Sequence, residues 1–298
     1  MRGPIVRCVP VENLIGDYLR ARRELVRPED VGLPDAGLRR VAGLRREEVA
    51  LLAGVSTDYY VRLEQGRDQH PSEQVLDALA RALQLDEDAS AHLRTLAAAP
   101  SRRRRRSSKP EKVPEGIAQL VASWTQTPAY VSGRYMDVLV ANGLMSALVP
   151  CYEVGTNLVR AAFLDPRVRD MYGEWERVTE TTVAGLRALV GPDVDDPRLA
   201  ELVGELSIRS ERFRKLWAGH VVRPKRSGVT HIEHPFVGPL ELRREPLPLP
   251  DTDGQMLVVY HAVPGSPSAQ ALSLLSSATA HADEKGRPCA TSSWVAPA

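Results

Sequence analysis

Residues 44–66, LRREEVALLAGVSTDYYVRLEQG, leave this chain the fewest choices of fold. Their spacing predicts two short amphipathic helices joined by a tight turn, the first from about Arg46 to Ala53. Glu47 and Glu48 fall in its first turn, where the unpaired N–H groups favour negative charge. Val49, Leu52 and Ala53 recur at i, i+3 and i+4 and make one apolar stripe. Gly54 can take a left-handed backbone without steric cost, so it suits the turn. Val55 plugs the corner, and the Ser56 hydroxyl can cap the second helix. In that helix Tyr60 and Leu63 face inward, Thr57, Asp58, Tyr59, Val61 and Arg62 face outward, and Gly66 ends it.

Such a helix-turn-helix can lay its second helix in a major groove with the N-terminal residues against base edges. The plainer alternative is a helical hairpin with a charged surface. What separates the two is the run Ala-Gly-Val-Ser, then the inward Tyr60 and Leu63, then Glu-Gln-Gly, which resembles the lambda-repressor-like (XRE) family. The resemblance implies an all-α domain of five helices. It places base contacts at the first residue of the leading motif helix and on the outward residues of the second: Arg46, Thr57, Asp58 and Arg62. Arg46 stands where glutamine is usual, which favours guanine or phosphate over adenine. Asp58 either accepts from a cytosine amino group or caps its own helix. Arg45, Ser56, Tyr59 and Arg67 suit positioning on the DNA backbone. The resemblance also implies an ion pair between Arg23 of the first helix and Glu64.

Around the motif the other three helices can be read. A first helix spans about Asn13 to Leu25, with Ile15 and Leu19 inward and Tyr18 beside them. The loop VRPEDVGLPDAGLRRVAG that follows is broken by Pro28, Gly32, Pro34, Gly37 and Gly43. Its Arg39 and Arg40 either reach a phosphate or minor groove or are solvated. Ser72 caps a helix running to Leu85 with Val75, Leu76, Leu79 and Leu83 buried. Asp86 caps a fifth to Ala98 with Leu93 and Leu96 inward. The run SRRRRRSSKP at 101–110 repels itself and has no apolar period, so it reads as a linker. It serves either for nonspecific phosphate contact or as a solvated spacer. The expected organisation is a DNA-binding domain at 12–99, a linker at 100–112, a regulatory domain at 113–280 and a disordered tail at 281–298. Residues 1–110 carry 20 Lys/Arg against 16 Asp/Glu, whereas 111–298 carry 19 against 22. The basic half is the one that would meet phosphate.

Beyond the linker, short strands, a group of helices and three consecutive strands predict an α+β domain with one antiparallel sheet. Strands are expected at Tyr130–Val131 and Tyr135–Val140, helices at about Trp175–Val190, Pro197–Ser207 and Glu211–His220, and a last helix at Ser268–Ser277. The segments PAYV…DVLVAN, FLDPRVRDMYGEWE, HPFVGPLEL and LVVYHAVPGSPSAQAL resemble the MmyB-like regulators. That family joins a repressor-like domain to a PAS-like ligand-binding domain. The resemblance implies a transcription regulator whose C-terminal pocket takes an apolar, fatty-acid-like small molecule. One departure stands out, because the family often has Trp-Asn where this chain has Ala141-Asn142, which would reshape the pocket. Trp124, Tyr130, Tyr135, Asn142, Phe163, Trp175, Trp217 and Tyr260 are the expected ligand contacts, against the alternative that such aromatics are core. The expected partners are a near-palindromic duplex, a second copy of the chain and the apolar ligand. In the rival reading the C-terminal domain serves only dimerisation or protein docking.

Little points to catalysis, a metal or a cofactor, and none is expected. His231 and His234 alternate to opposite faces of a strand, a poor chelate. His220 and His261 have no evident carboxylate or cysteine companion. Gly265-Ser266-Pro267-Ser268 fails the nucleophile-elbow pattern, and no glycine-rich loop follows a strand and opens a helix. Cys8, Cys151 and Cys289 are odd in number and far apart, which fits a reducing compartment. No apolar run approaches the roughly 18 residues of a membrane span. The expected location is therefore cytoplasmic, on the nucleoid.

Overall fold

The structure, a computed structural model, describes residues 13–33, 41, 43–68, 70–98, 111–190, 196–224 and 226–284. Arg39, Arg40, the arginine run, Cys8, Cys289 and the chain beyond 284 lie outside them. The chain divides into two compact units: the first is built on residues 13–98 with Lys215–Arg223 grouped with it, and the second on the rest of the described residues of 111–284.

The first unit is all helical: α1 (Leu14–Leu25), α2 (Arg46–Ala53), α3 (Thr57–Glu64), α4 (Glu73–Ala82) and α5 (Glu87–Ala97), with a 3₁₀ turn at Pro28–Val31. Short polar side chains start four of these helices. Asn13, Ser56, Ser72 and Asp86 accept from the N–H groups of Gly16, Tyr59, Val75 and Ala89. Each cap contributes about 1 kcal/mol. Gly54 takes φ 66° and ψ 30°, turning the chain from α2 into α3. Leu19, Val49, Tyr60, Leu63, Leu79 and Leu83 are fully enclosed in the core, each worth about 1.5–3 kcal/mol relative to exposure. Leu52, Val75 and Leu96, expected inside, are only partly buried at its edge. On α4 the inward direction centres on Leu76, Leu79 and Ala80, which rotates Val75 outward. The Tyr18 hydroxyl donates to the Ala89 carbonyl at 3.0 Å and ties α1 to α5.

Residues 111–284 contain α6 (Glu115–Ser123), β1 (Ala129–Ser132), β2 (Val138–Ala141), α7 (Gly143–Leu148), α8 (Leu158–Leu164), α9 (Pro166–Met171), α10 (Trp175–Val190), α11 (Pro197–Arg209), α12 (Glu211–Ala218), β3 (Gly228–His234), β4 (Gly238–Pro248), β5 (Met256–His261) and α13 (Pro267–Glu284). The five strands form one antiparallel sheet in the order β2-β1-β5-β4-β3. The β1–β2 hairpin departs from expectation, since β2 begins at Val138 rather than Tyr135. Residues 133–136 form a turn closed by Met136 N donating to the Gly133 carbonyl at 3.0 Å, with Met136 at φ 65°. A period-two pattern cannot distinguish a strand from a turn that keeps its apolar residues buried. Helix α13 runs past Ser277 to Glu284, through an alanine-rich stretch of high helix propensity.

Register assigns the two faces of the sheet. Tyr130 pairs with Val258, and Tyr260 lies two residues further along β5, so both phenols leave the same face. Ala129, Val131 and Leu257 leave the other, where they form a core with Val121 of α6 and the partly buried Trp124.

Candidate functional site

The outward face of α3 is set by what lies behind it. Tyr60, Leu63 and Glu64 are buried, whereas Thr57, Asp58 and Arg62 are exposed. Ser56 Oγ accepts from Tyr59 N at 3.1 Å and starts the helix. Asp58 does not cap. Its Oδ2 accepts from Arg62 Nη1 at 3.0 Å, one turn along. The Arg62 guanidinium also lies 5.6 Å from the Tyr59 ring centroid, so it is held by a carboxylate on one side and an aromatic ring on the other. Arg67 is exposed just past Gly66, which has φ 70°.

Glu64 anchors the end of α3. Arg23 Nε donates to Glu64 Oε2 at 3.0 Å and Arg23 Nη2 to Oε1 at 3.1 Å, a bidentate pair. Arg23 Nη1 donates to the Leu44 carbonyl at 2.9 Å, which ties in the segment just before α2. Arg46 also spends two donors on Glu64 Oε1, at 3.0 and 2.8 Å. The expected base reader of α2 is thus bound to the same carboxylate as Arg23. Arg20, which the sequence did not single out, brings a third guanidinium to 3.5 Å. It lies one turn before Arg23 on α1, and that i, i+3 spacing was the available signal. Burial alone would raise the Glu64 pKa, but the hydrogen bonds from Arg23 and Arg46 hold it below the ordinary glutamate value. The buried Tyr60 phenol is pushed up, first by burial and then by the Glu64 charge. Asn13 and Gly16 complete the junction. Asn13 Nδ2 donates to the Glu64 carbonyl at 2.7 Å, and a Cβ on Gly16 would overlap that carbonyl oxygen. Arg45 caps α2 from outside, its N–H donating to Glu48 Oε2 at 2.6 Å and its guanidinium 3.6 Å from Glu47.

The residues expected to contact a ligand fall into separate groups. Tyr130 and Tyr260, both buried, lie in a tyrosine cluster with Tyr152 and Tyr172. The Tyr130 and Tyr152 rings meet edge to face at 5.1 Å, and the Tyr152 and Tyr172 hydroxyls are 3.4 Å apart. Burial pushes all four phenols up, so they remain protonated donors. Tyr152 and Tyr172 sit between helices, where no periodicity marks them. Trp124 is on the opposite face of the sheet. Tyr135 lies in the β1–β2 turn with Arg134 and Arg198 over its ring at 5.8 and 5.6 Å. Phe163 packs edge to face on Phe213 at 5.2 Å. Trp175 lies between Arg169 and Arg212, at 4.9 and 5.2 Å, and its indole N–H donates to the Ala162 carbonyl at 2.8 Å. Trp217 is half-buried on α12.

Asn142 has a structural occupation instead of a free amide. Its Oδ1 accepts from Ala129 N at 3.2 Å and Met145 N at 2.9 Å. Its Nδ2 donates to the carbonyls of Trp124 and Thr127 at 2.8 Å each and lies 3.4 Å from that of Val121. Two lone pairs and two protons are thereby used, and none remains for a ligand.

Among the described residues His231, His234 and His261 each have a different partner. His234 is buried, with Nε2 3.0 Å from the Ala147 carbonyl, and its Nδ1 accepts from Phe236 and Val237 N–H groups. His231 and His261 each face one glutamate at the surface, Glu241 at 3.6 Å and Glu245 at 3.7 Å. Among the described residues no three His, Cys, Asp or Glu side chains gather as a metal ion would need, and no helix is long and apolar enough to cross a membrane. Burial pushes the Cys151 thiol up to about 12.

Comparison with protein families finds two matches in tandem. Residues 14–93 match a helix-turn-helix domain. Residues 113–275 match the MmyB-like transcription regulator ligand binding domain. Comparison with curated proteins found no match.

Proposed function

Because this chain belongs to the MmyB-like transcription regulators, and so couples a DNA-binding domain to a ligand-binding one, we propose that it reads a near-palindromic operator as a homodimer and answers to an apolar acid. The face of α3 carries the first half of this reading. Thr57, Asp58 and Arg62 are exposed on a helix whose other side is fully committed to the core. Arg62, fixed by Asp58 and Tyr59, presents its guanidinium in one orientation, as a bidentate contact to guanine requires. A twofold pair of such helices would be set about one DNA turn apart. Selection of bound duplexes from a random pool by the full chain tests this. A twofold-symmetric preferred sequence is expected, and recovery of no preferred sequence would sink the reading.

The tyrosine cluster supports the ligand half. Neutral phenols in an apolar interior donate well to a carboxylate or carbonyl while the surrounding side chains accept a hydrocarbon tail. A ligand that binds only the folded chain must raise its denaturation midpoint by mass action. Long-chain fatty acids are therefore expected to raise the midpoint reported by tryptophan fluorescence, and Tyr152→Phe with Tyr172→Phe to reduce the rise. One observation favours a second reading, in which the domain only dimerises or docks a protein. Trp124, Asn142 and Trp175 are occupied by internal contacts and do not converge on Tyr130 and Tyr260. A midpoint unmoved by saturating acids of any chain length would favour that reading.

A further inference from the structure

Arg20, Arg23 and Arg46 converge on one buried carboxylate, and their charges do not balance. Glu64 Oε1 receives Arg23 Nη2 at 3.1 Å, Arg46 Nε and Nη2 at 3.0 and 2.8 Å, and Arg20 Nε at 3.5 Å. A carboxylate oxygen offers about two lone-pair sites, so this one is oversubscribed. Arg23 is the inner partner. Its side chain is 8% exposed, and its three donor nitrogens are spent on Glu64 and the Leu44 carbonyl. Glu64 is therefore neutralised from within, and the charges of Arg20 and Arg46 are surplus. Their side chains are 46% and 45% exposed. Among the described residues neither guanidinium pairs with a second carboxylate: Glu47 faces Arg45, Glu48 accepts from the neutral Arg45 N–H, and exposed Glu24 is 3.9 Å from Arg23.

We propose that Arg20 and Arg46 form a clamp for a DNA backbone phosphate, aligned from behind by Glu64; this rests on the DNA-binding reading above. Two guanidiniums held against one oxygen repel each other across their outer edges. A neutral base edge would leave that repulsion in place, whereas a phosphate between them removes it and takes paired N–H donors. Arg46 is then a backbone contact rather than a base reader, and Arg20 is its partner from α1. Arg62 differs in kind. It is matched one to one by Asp58, carries no surplus, and is left to read bases.

Salt dependence separates these roles, because each neutralised phosphate contributes about 0.9 to the slope of log affinity against log salt. Binding of the full chain is measured by fluorescence anisotropy, on a random-sequence duplex and on the duplex that the wild-type chain selects. Arg20→Met and Arg46→Met keep most of the apolar stem and remove the charge. Each is expected to lower the slope by about 0.9, so that affinity falls about 3.5-fold less between about 50 and about 200 mM salt. The loss should be equal on both duplexes, with the selected sequence unchanged. Arg46→Lys should keep the slope. Thermal midpoints check folding, and Arg20→Lys replaces Arg20→Met should the latter unfold, with a slope near wild type and a lower affinity expected from loss of the fork. An unchanged slope in both Met variants, or an altered preference at a single base pair, would overturn the clamp. Failure of the wild type to select any sequence would instead overturn the underlying DNA reading.

Discussion

The Glu64 cluster of the helical unit and the polar groups beside the sheet of the second unit are built in opposite ways. In the helical unit the polar centre is ionic. One carboxylate, Glu64, is shared by three guanidiniums, two of which extend to solvent beside the motif. Against the sheet of the second unit the polar centre is neutral, formed by the Asn142 amide saturated by backbone and by four protonated phenols. An ionic hub that reaches the surface orients charge toward a polyanion. The neutral phenols carry no such field, and the buried Arg134 guanidinium elsewhere in the second unit is tied to the Val190 carbonyl at 2.8 Å. On the proposed reading, the contrast matches each cluster to the partner its unit would bind.

The largest test of the contrast is Glu64→Ala. Removing one partner of a buried pair leaves charge uncompensated, so a loss of about 3–5 kcal/mol is expected, carried by Arg23. Trp124 and Trp175 belong to the second unit and Trp217 to a segment grouped with the first, so fluorescence of the chain with Trp217 and Trp294 replaced by phenylalanine follows the second unit. Far-UV helicity should melt in an earlier step while the tryptophan transition holds. Coincident, unmoved transitions would refute the hub.

Asn142→Ala should do the reverse. Loss of the α7 cap and of the amide that joins α6, β1 and α7 should cost about 2–3 kcal/mol. The tryptophan midpoint should fall with DNA affinity per folded molecule unchanged. Arg62→Ala is expected to cost about 1–3 kcal/mol of operator binding and to relax preference at one base position. Equal weakening on every sequence would move Arg62 to the backbone class.

Acid provides a gentler probe. The folded pKa of Glu64 is held below its unfolded value. Its contribution is therefore present at neutral pH and lost only as pH falls through the depressed folded value, below about 4.3. Acid titration of helicity should show the wild type losing stability in that range and Glu64→Gln showing a smaller dependence. Smallest of all is the thiol. With Cys8 and Cys289 replaced by serine, Cys151 should resist alkylation at neutral pH, since its thiol titrates near 12. Rapid labelling would show that the second unit opens more readily than its packing implies.

Legibility followed how local each signal is. Gly54, Ser56, Tyr60 and Leu63 act within one or two turns of their neighbours, so α2, the turn and α3 could be placed residue by residue. Helix caps at Ser72 and Asp86 were readable for the same reason. The β1–β2 turn was not, because Tyr135 and Met136 are apolar and buried although they leave the strand. The Asn142 hub was also hidden. Its partners lie in segments 13 to 21 residues earlier, and a lone asparagine before a helix looks the same whether it binds ligand or backbone.

By itself the sequence determined the order of the two domains, the helix-turn-helix and which face of α3 turns outward, since those depend on periodicity, capping and one glycine. Only the tertiary structure decided that Arg20 and Arg46 share Glu64 with Arg23, and that Trp124 and Tyr130 lie on opposite faces of the sheet. Those relations arise between segments distant along the chain. Which charge meets which carboxylate, and which ring shares a face with another, follows from packing geometry that no local pattern encodes.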